Sequence, residues 1–252
     1  MKRVQFEHSS IPYLFIAPQI VIIAVFFLWP AGQAVHQSFL LEDAFGLSSQ
    51  FVWFKNYTDT IGDASWLQAA WFTAVFSALV TFLSLGIALL LAVKANEVIR
   101  GARAYRTTLM WAYAIAPPVA GLMGNLMFHP LIGDLYKFLN AIGWDFNHKL
   151  DSFDAGFVVV LIAVWKQVSV NFIFFLSGLQ GISKAVNEAA LMDCKSPTRR
   201  FWTITFPLLA PTTFFLMVIN ITYAFFETFG IIDTTTGGAP GGSTNTLVYK
   251  VF

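Results

Sequence analysis

Residues 66–93 read WLQAAWFTAVFSALVTFLSLGIALLLAV, and no Asp, Glu, Lys or Arg falls between Asp63 and Lys94. A helix needs about 20 apolar residues to cross the hydrocarbon core of a bilayer. This window supplies them in a continuous run, which favours a helix over the alternating pattern of a barrel strand. Four other windows behave alike. Glu7 to Glu42 is uncharged between its ends, with Ile11 to Trp29 as its apolar core. Arg106 to Asp134 and Arg200 to Glu227 are uncharged, and Asp154 to Lys184 contains only Lys166. The expected fold is an all-α membrane protein, a polytopic helical bundle forming a single transmembrane domain over 1–252. Its five spans are expected at about 11–31, 66–93, 107–128, 155–179 and 203–228.

Composition agrees. The chain has 252 residues, of which 57% are hydrophobic and only 12% charged. Ordinary globular chains carry about 25% charged residues, so there is too little polar surface here for a water-soluble sphere. A net charge of +1 gives no sign of nucleic-acid binding. The single cysteine, Cys194, excludes an internal disulfide framework and a cysteine-rich metal site. His8, His36, His129 and His148 are scattered without ligand spacing. There is no P-loop, no H-E-x-x-H and no G-x-S-x-G, so neither a metal site nor a catalytic centre is expected. The first window follows Lys2 and Arg3 but exceeds the h-region of a signal peptide, so it reads as a retained span.

Basic residues set the orientation. Lys2, Arg3, Lys94, Arg100, Arg103, Arg106, Lys184, Lys195, Arg199 and Arg200 fall on one side of the five spans. The other side has Lys55, Lys137, Lys149 and Lys250. The amino terminus and the loops near 94–106 and 180–202 are therefore expected in the cytoplasm.

The 180–202 loop is the most informative. Lys184 to Asp193 reads as a short amphipathic helix, with Ala185, Ala189 and Met192 on one face. Ser196 suits an N-cap and Pro197 a first helical turn. Pro207 and Pro211 would kink the entry to the fifth span. The loop resembles the EAA loop of bacterial ABC-importer permeases, matching it at Glu188, Ala189, Ala190, Asp193 and Pro207. That resemblance implies the type I permease fold and a coupling loop that docks in a cleft of an ATP-hydrolysing partner. Two copies of that partner, a second homologous permease subunit and a periplasmic or lipid-anchored solute-binding protein are implied with it. ATP and Mg would be bound by the partner ATPase, with no cofactor in this chain. The setting would be the bacterial inner membrane.

Two departures stand out. Cys194 replaces the family's glycine, where a positive φ would cost a cysteine about 1 kcal/mol or more. Lys195 replaces a small residue. Further segments extend the likeness to the permeases of glycerol-3-phosphate importers: Ile16 to Gln19, Phe26 to Gly32, Phe45 to Val52, Tyr113 to Pro118, Trp144 to His148, Val164 to Gln167 and Tyr223 to Phe229. Glycerol-3-phosphate or its diesters are the implied substrate, with another sugar or polyol as the alternative. Such permeases have six spans, so the sixth is expected to be missing here. A self-contained secondary transporter would call for internal repeats and paired charges, and a membrane enzyme for clustered acids, His or Cys.

Polar residues inside the windows complete the reading. Lys166 lies about 18 Å along a helix from Asp154, near mid-bilayer. A charge there costs about 2.5–3.5 kcal/mol on insertion scales and must face protein or water. Gln167 and Asn171 widen its polar arc. Two readings stay open for Lys166: attraction of an anionic solute, or a structural pair with the partner permease. Asn220, Tyr223 and Glu227 share one face of the fifth window. Glu227 is expected at a different depth from Lys166. Pro117-Pro118 should break the third span.

Overall fold

The computed structural model describes residues 11–43, 48–97, 102–194 and 196–252. Lys2, Arg3, Arg100 and Lys195 of the basic tally, and Phe45 to Leu47 of the family likeness, lie outside them. The chain divides into two units, Met1–Ala64 and Ser65–Phe252.

In the first unit, α1 (Ile11–Ile23) runs through a π-helical turn, Ala24–Leu28, into α2 (Trp29–Gln37). Pro30 has no N–H to give the preceding turn, and the widened turn falls just before it. A two-stranded antiparallel hairpin follows, β1 (Leu40–Glu42) and β2 (Ser49–Phe51), and then α3 (Lys55–Gly62). Asn56 ties α3 to the hairpin by donating to the Ser38 and Leu40 carbonyls, both at 2.9 Å.

The second unit is built on α4 (Ala64–Glu97) and α8 (Ser152–Gly181). Between them lie α5 (Ala102–Met110), a 3₁₀ turn (Trp111–Ala114), α6 (Pro117–Met127) and α7 (Asp134–Ala141). After α8 come α9 (Lys184–Asp193), α10 (Pro197–Arg200), a π turn (Phe201–Thr205), α11 (Phe206–Leu208), α12 (Ala210–Phe226), α13 (Phe229–Thr235) and α14 (Leu247–Val251). Most of α8's apolar window is buried, against a third of α4's, so α8 is the central element.

Among the described residues, three continuous helices are long and apolar enough to cross a membrane: Pro12–Gln37, Ala64–Glu97 and Ser152–Gly181. A fourth crossing requires a pair of helices, Pro197–Leu208 and Ala210–Phe226, bent by 69°. Five spans were expected, and the difference lies at 107–128. That stretch is two helices flanking a break. Ala116, held by the following proline, is extended at ψ 143°, and Pro117 and Pro118 donate no N–H. The bend in the last pair sits at Leu209, between Pro207 and Pro211, as the two prolines predict.

Small residues bring the broken half-helix α6 against α13. A Cβ at Gly121 would lie 2.7 Å from the Ile231 carbonyl, so only glycine fits. Thr234 and Thr235 then donate to the Pro118 and Gly121 carbonyls, at 2.9 and 3.2 Å. Beyond α13, Gly237, Gly238, Gly241 and Gly242 all take positive φ, where a side chain would be strained. The turn they form returns the chain to α4, where the Leu247 N–H donates to Thr73 at 2.9 Å.

The loop before α8 is fixed by two carboxylates. Asp151 caps the helix by accepting from the Phe153 and Asp154 N–H groups. Asp154, itself buried, accepts from the Trp144 indole at 3.1 Å and the Asn147 N–H at 2.6 Å. Phe146 is then fully enclosed by Phe128, Tyr136, Trp144 and Phe157. His148 stacks on Phe146 and is also enclosed. Burial, with Lys149 and His129 nearby, pushes its pKa from 6.5 down to about 4.

A pH prediction follows from His148. The folded state holds this proton less tightly than the unfolded chain does. Its stabilising effect is full above pH 6.5 and is lost as the pH falls toward 4. Lowering the pH from 7.5 to 4.5 should remove on the order of 3 kcal/mol, or roughly 5–10 °C in melting temperature. Thermal unfolding in detergent would show it, and His148→Phe should flatten the dependence. An equal slope in that variant would assign the effect elsewhere.

Candidate functional site

The predicted loop residues are presented on α9. Its limits, Lys184–Asp193, are those read from the sequence. Ser183 caps it through the Val186 N–H. Ala190 alone is buried. Glu188, Ala189 and Asp193 are exposed, with Ala185 and Met192, so the helix offers an acid and an apolar face to solvent. Cys194 follows at φ −127°, ψ 106°. This is extended backbone, and the positive φ expected at the family's glycine position is not adopted. Cys194 therefore bears no left-handed strain, and the expected penalty does not arise. Ser196 then caps α10 by accepting from the Arg199 N–H, with Pro197 in the first turn. Pro207 stands at the start of α11, and Leu209 beyond it packs against Gly178 of α8, where a Cβ would meet it at 2.9 Å. The bend below α12 is thus packed on the end of α8.

Asn171 and Asn220 are brought together in the apolar interior. Each is fully buried. The Asn171 amide donates to the Asn220 oxygen at 3.0 Å, and the Asn220 amide donates back at 2.8 Å. Ser84 of α4 joins them, donating to the Asn220 oxygen at 2.9 Å and accepting from Asn171 at 3.0 Å. This knot links α4, α8 and α12. Sequence reasoning missed Ser84. The signal was present, because Thr73, Ser77, Thr81 and Ser84 recur at helical spacing within an apolar helix, and all four are buried.

Lys166 is also buried, and its ammonium donates to the Ile115 carbonyl at 2.7 Å. That carbonyl lies in the break between α5 and α6. One turn along α8, the Ser169 hydroxyl donates to the Leu109 carbonyl at 2.7 Å. Leu109 is in the last turn of α5, whose carbonyls have no helical partner. Two α8 side chains therefore hold the broken segment. No ion pair involves Lys166 among the described residues.

The placement of Glu227 corrects the expected depths. The Asn171–Asn220 contact sets a common level. From it, Lys166 lies five residues toward the start of α8, about 7.5 Å, and Glu227 seven residues toward the end of α12, about 10.5 Å. The two helices are antiparallel there, so the levels differ by only about 3 Å. Tyr223 lies between Asn220 and Glu227, and its buried hydroxyl meets no hydrogen-bond partner among the described residues. Ser77 and Thr81 hydroxyls on α4 share that condition. Among the described residues, no group of three His, Cys, Asp or Glu could hold a metal.

Residues 87–249 match the family described as binding-protein-dependent transport system inner membrane component. The whole chain is 51% identical to the sn-glycerol-3-phosphate transport system permease protein of Rhizobium meliloti, covering 86% of that protein. It is 52% identical to the same-named protein of Brucella suis, again with all of this chain and 86% of the relative covered. Against that of Salmonella choleraesuis the identity is 45%, over 99% of this chain and 85% of the relative. Two solved structures share the fold. A bacterial alginate ABC transporter in complex with an alginate pentasaccharide-bound periplasmic protein matches with TM-score 0.76 at 22% identity, over 95% of this chain and 80% of that one. A bacterial ABC transporter involved in import of the acidic polysaccharide alginate matches with TM-score 0.78 at 20% identity, over 95% and 82%.

The hold of α8 on the break is directly measurable. Lys166→Met combined with Ser169→Ala should strip the Ile115 and Leu109 carbonyls of partners. Amide exchange across residues 109–116 should rise roughly tenfold or more, while the interior of α4 is unchanged. Unchanged exchange at 109–116 would show that other groups hold the segment.

Proposed function

The chain belongs to the family of binding-protein-dependent transport system inner membrane components, and from that premise we propose that it is a permease subunit of an ATP-driven importer of sn-glycerol-3-phosphate. One observation carries this reading: identity of 45% to 52% along essentially the whole chain to permeases named for that compound. A second permease subunit would complete the pore. Two copies of an ATPase subunit would bind ATP and Mg, and a periplasmic or lipid-anchored binding protein would deliver the solute. The chain would lie in the bacterial inner membrane with its amino terminus inside, and the broken stretch 107–128 would serve as a fifth crossing.

The geometry suggests how movement would pass. Closure of the ATPases would pull on the exposed face of α9 around Glu188. The short link through Cys194 to Ser196 and α10 would transmit the pull to the bend at Leu209. From there α12 would carry it to the Asn220 knot and so to α8 and α4. The solute path would run past the level of Lys166, Tyr223 and Glu227, beside Asn171 and Asn220. Lys166 has further N–H donors beyond the one given to Ile115, and these would attract a phosphate.

Reconstitution with the partner subunits tests the reading. Labelled sn-glycerol-3-phosphate should enter proteoliposomes only with ATP and binding protein present. Glu188→Ala should lower uptake roughly tenfold and weaken co-purification of the ATPase, as loss of about 1.4 kcal/mol of coupling would. Equal uptake of a neutral sugar or polyol would overturn the substrate, and uptake by this chain alone would overturn the ATP-driven mechanism.

A further inference from the structure

A second feature of the α9 region is unrelated to the solute path. The ends of α4 and α8 meet α9, α10 and the π turn around a cleft of about 510 Å³. Its lining is of two kinds. Leu90, Val93, Leu179 and Phe201 line it with apolar surface, and Lys94, Arg200 and Asn187 line it with polar groups. Leu90 and Lys94 are one turn apart on α4, so the wall passes from apolar to cationic along the helix axis.

The two cations also have a special place in the sequence. Lys94 closes the uncharged window that begins at Asp63, and Arg200 opens the one that ends at Glu227. Each therefore marks the edge of the apolar slab, and the fold brings both edges to one cleft. Acidic competition is small. Lys94 pairs with Glu97, also on the cleft wall, at 3.3 Å, with both side chains mostly exposed. An exposed pair of this kind is readily exchanged for another anion. Arg200 has no ion pair among the described residues. Two cations against one carboxylate leave the cleft net positive.

We propose that this cleft is a binding site for one anionic phospholipid. The phosphate would sit between Lys94 and Arg200, with Asn187 as a further donor, and an acyl chain would lie along Leu90, Val93 and Phe201. Basic pockets at the edge of a helical bundle take anionic headgroups in this way. The apolar wall selects a lipid over a free anion, and the charge selects an anionic lipid over a zwitterionic one. A lipid held there touches α4 and α9 together.

Native mass spectrometry of the purified full chain tests this. The chain is offered equal amounts of phosphatidylglycerol and phosphatidylethanolamine. Phosphatidylglycerol should be retained roughly tenfold better, a difference that Lys94→Gln with Arg200→Gln should abolish. The charge-preserving pair, Lys94→Arg with Arg200→Lys, should keep it. Equal retention of both lipids, or undiminished retention by the neutral pair, would overturn the site. Displacement of the lipid by millimolar inorganic phosphate would show a free-anion site instead. Loss of the lipid on adding the partner ATPase would assign the cleft to that protein.

Discussion

Inside a bilayer a backbone carbonyl has no water to turn to, so every break in a helix creates a debt that the protein itself must meet. The break at Pro117-Pro118 is the clearest case. Two prolines remove two donors, and the preceding residue is pushed into an extended conformation. The carbonyls of Leu109, at the end of α5, and Ile115, in the break, must take donors from outside the segment. The central helix supplies both donors, from Lys166 and Ser169, while Thr234 and Thr235 of α13 fasten α6 by separate bonds to the Pro118 and Gly121 carbonyls. The identity of the two α8 residues follows from that requirement. A buried lysine in a membrane is costly by itself. Here its charge is placed on a carbonyl oxygen, which accepts from the ammonium at 2.7 Å.

The same constraint explains the asparagine knot. Side-chain amides have two donors and two acceptor lone pairs, and a lone amide in an apolar interior would leave most of them unmet. Asn171 and Asn220 satisfy each other reciprocally, and Ser84 uses what remains. A knot of this kind fixes three helices in one register while holding them at a single level. Elements on either side of that level can then move relative to it. On one side lie the bend at Leu209 and the α9 loop, and on the other lie Tyr223, Glu227 and the break held by Lys166.

Local features were legible in the sequence, and long-range ones were not. The limits of α9, the Ser196 cap with Pro197, and the bend between Pro207 and Pro211 depend on residues within a turn or two, and they stand where the sequence puts them. The break at Pro117-Pro118 is readable for the same reason, and it reduces the number of continuous helices below the number of uncharged windows. Counting uncharged residues measures whether a stretch can cross a bilayer. It does not say whether one helix does the crossing. The pairing of Asn171 with Asn220 is separated by 49 positions and needs the packing of two helices to be known. The level of Glu227 failed for a related reason. In the sequence each residue has only its own span as a reference for depth, whereas the Asn–Asn contact gives both helices a shared one. Cys194 shows a different limit. A family position occupied by glycine suggests a positive φ, but extended backbone also suits the position, and cysteine adopts it without strain.

Hydrogen-bonding capacity that the fold does not consume is the natural place to look for solute recognition. Asn171, Asn220 and Ser84 have spent theirs on one another. Tyr223, Ser77 and Thr81 have not, since their buried hydroxyls meet no protein partner among the described residues. Along α4, Thr81 and Ser77 lie one and two turns from Ser84 toward Thr73. Along α12, Tyr223 lies one turn from Asn220 toward Glu227. The spare hydroxyls therefore rise from the knot on the same side as Lys166 and Glu227. A polyol phosphate carries hydroxyls that both donate and accept, and an anionic end that wants a cation. Under the proposed function that side of the knot, with spent amides below it and unspent hydroxyls and an ammonium toward the other end, would be the one to receive such a solute. The asparagines would then act as its floor.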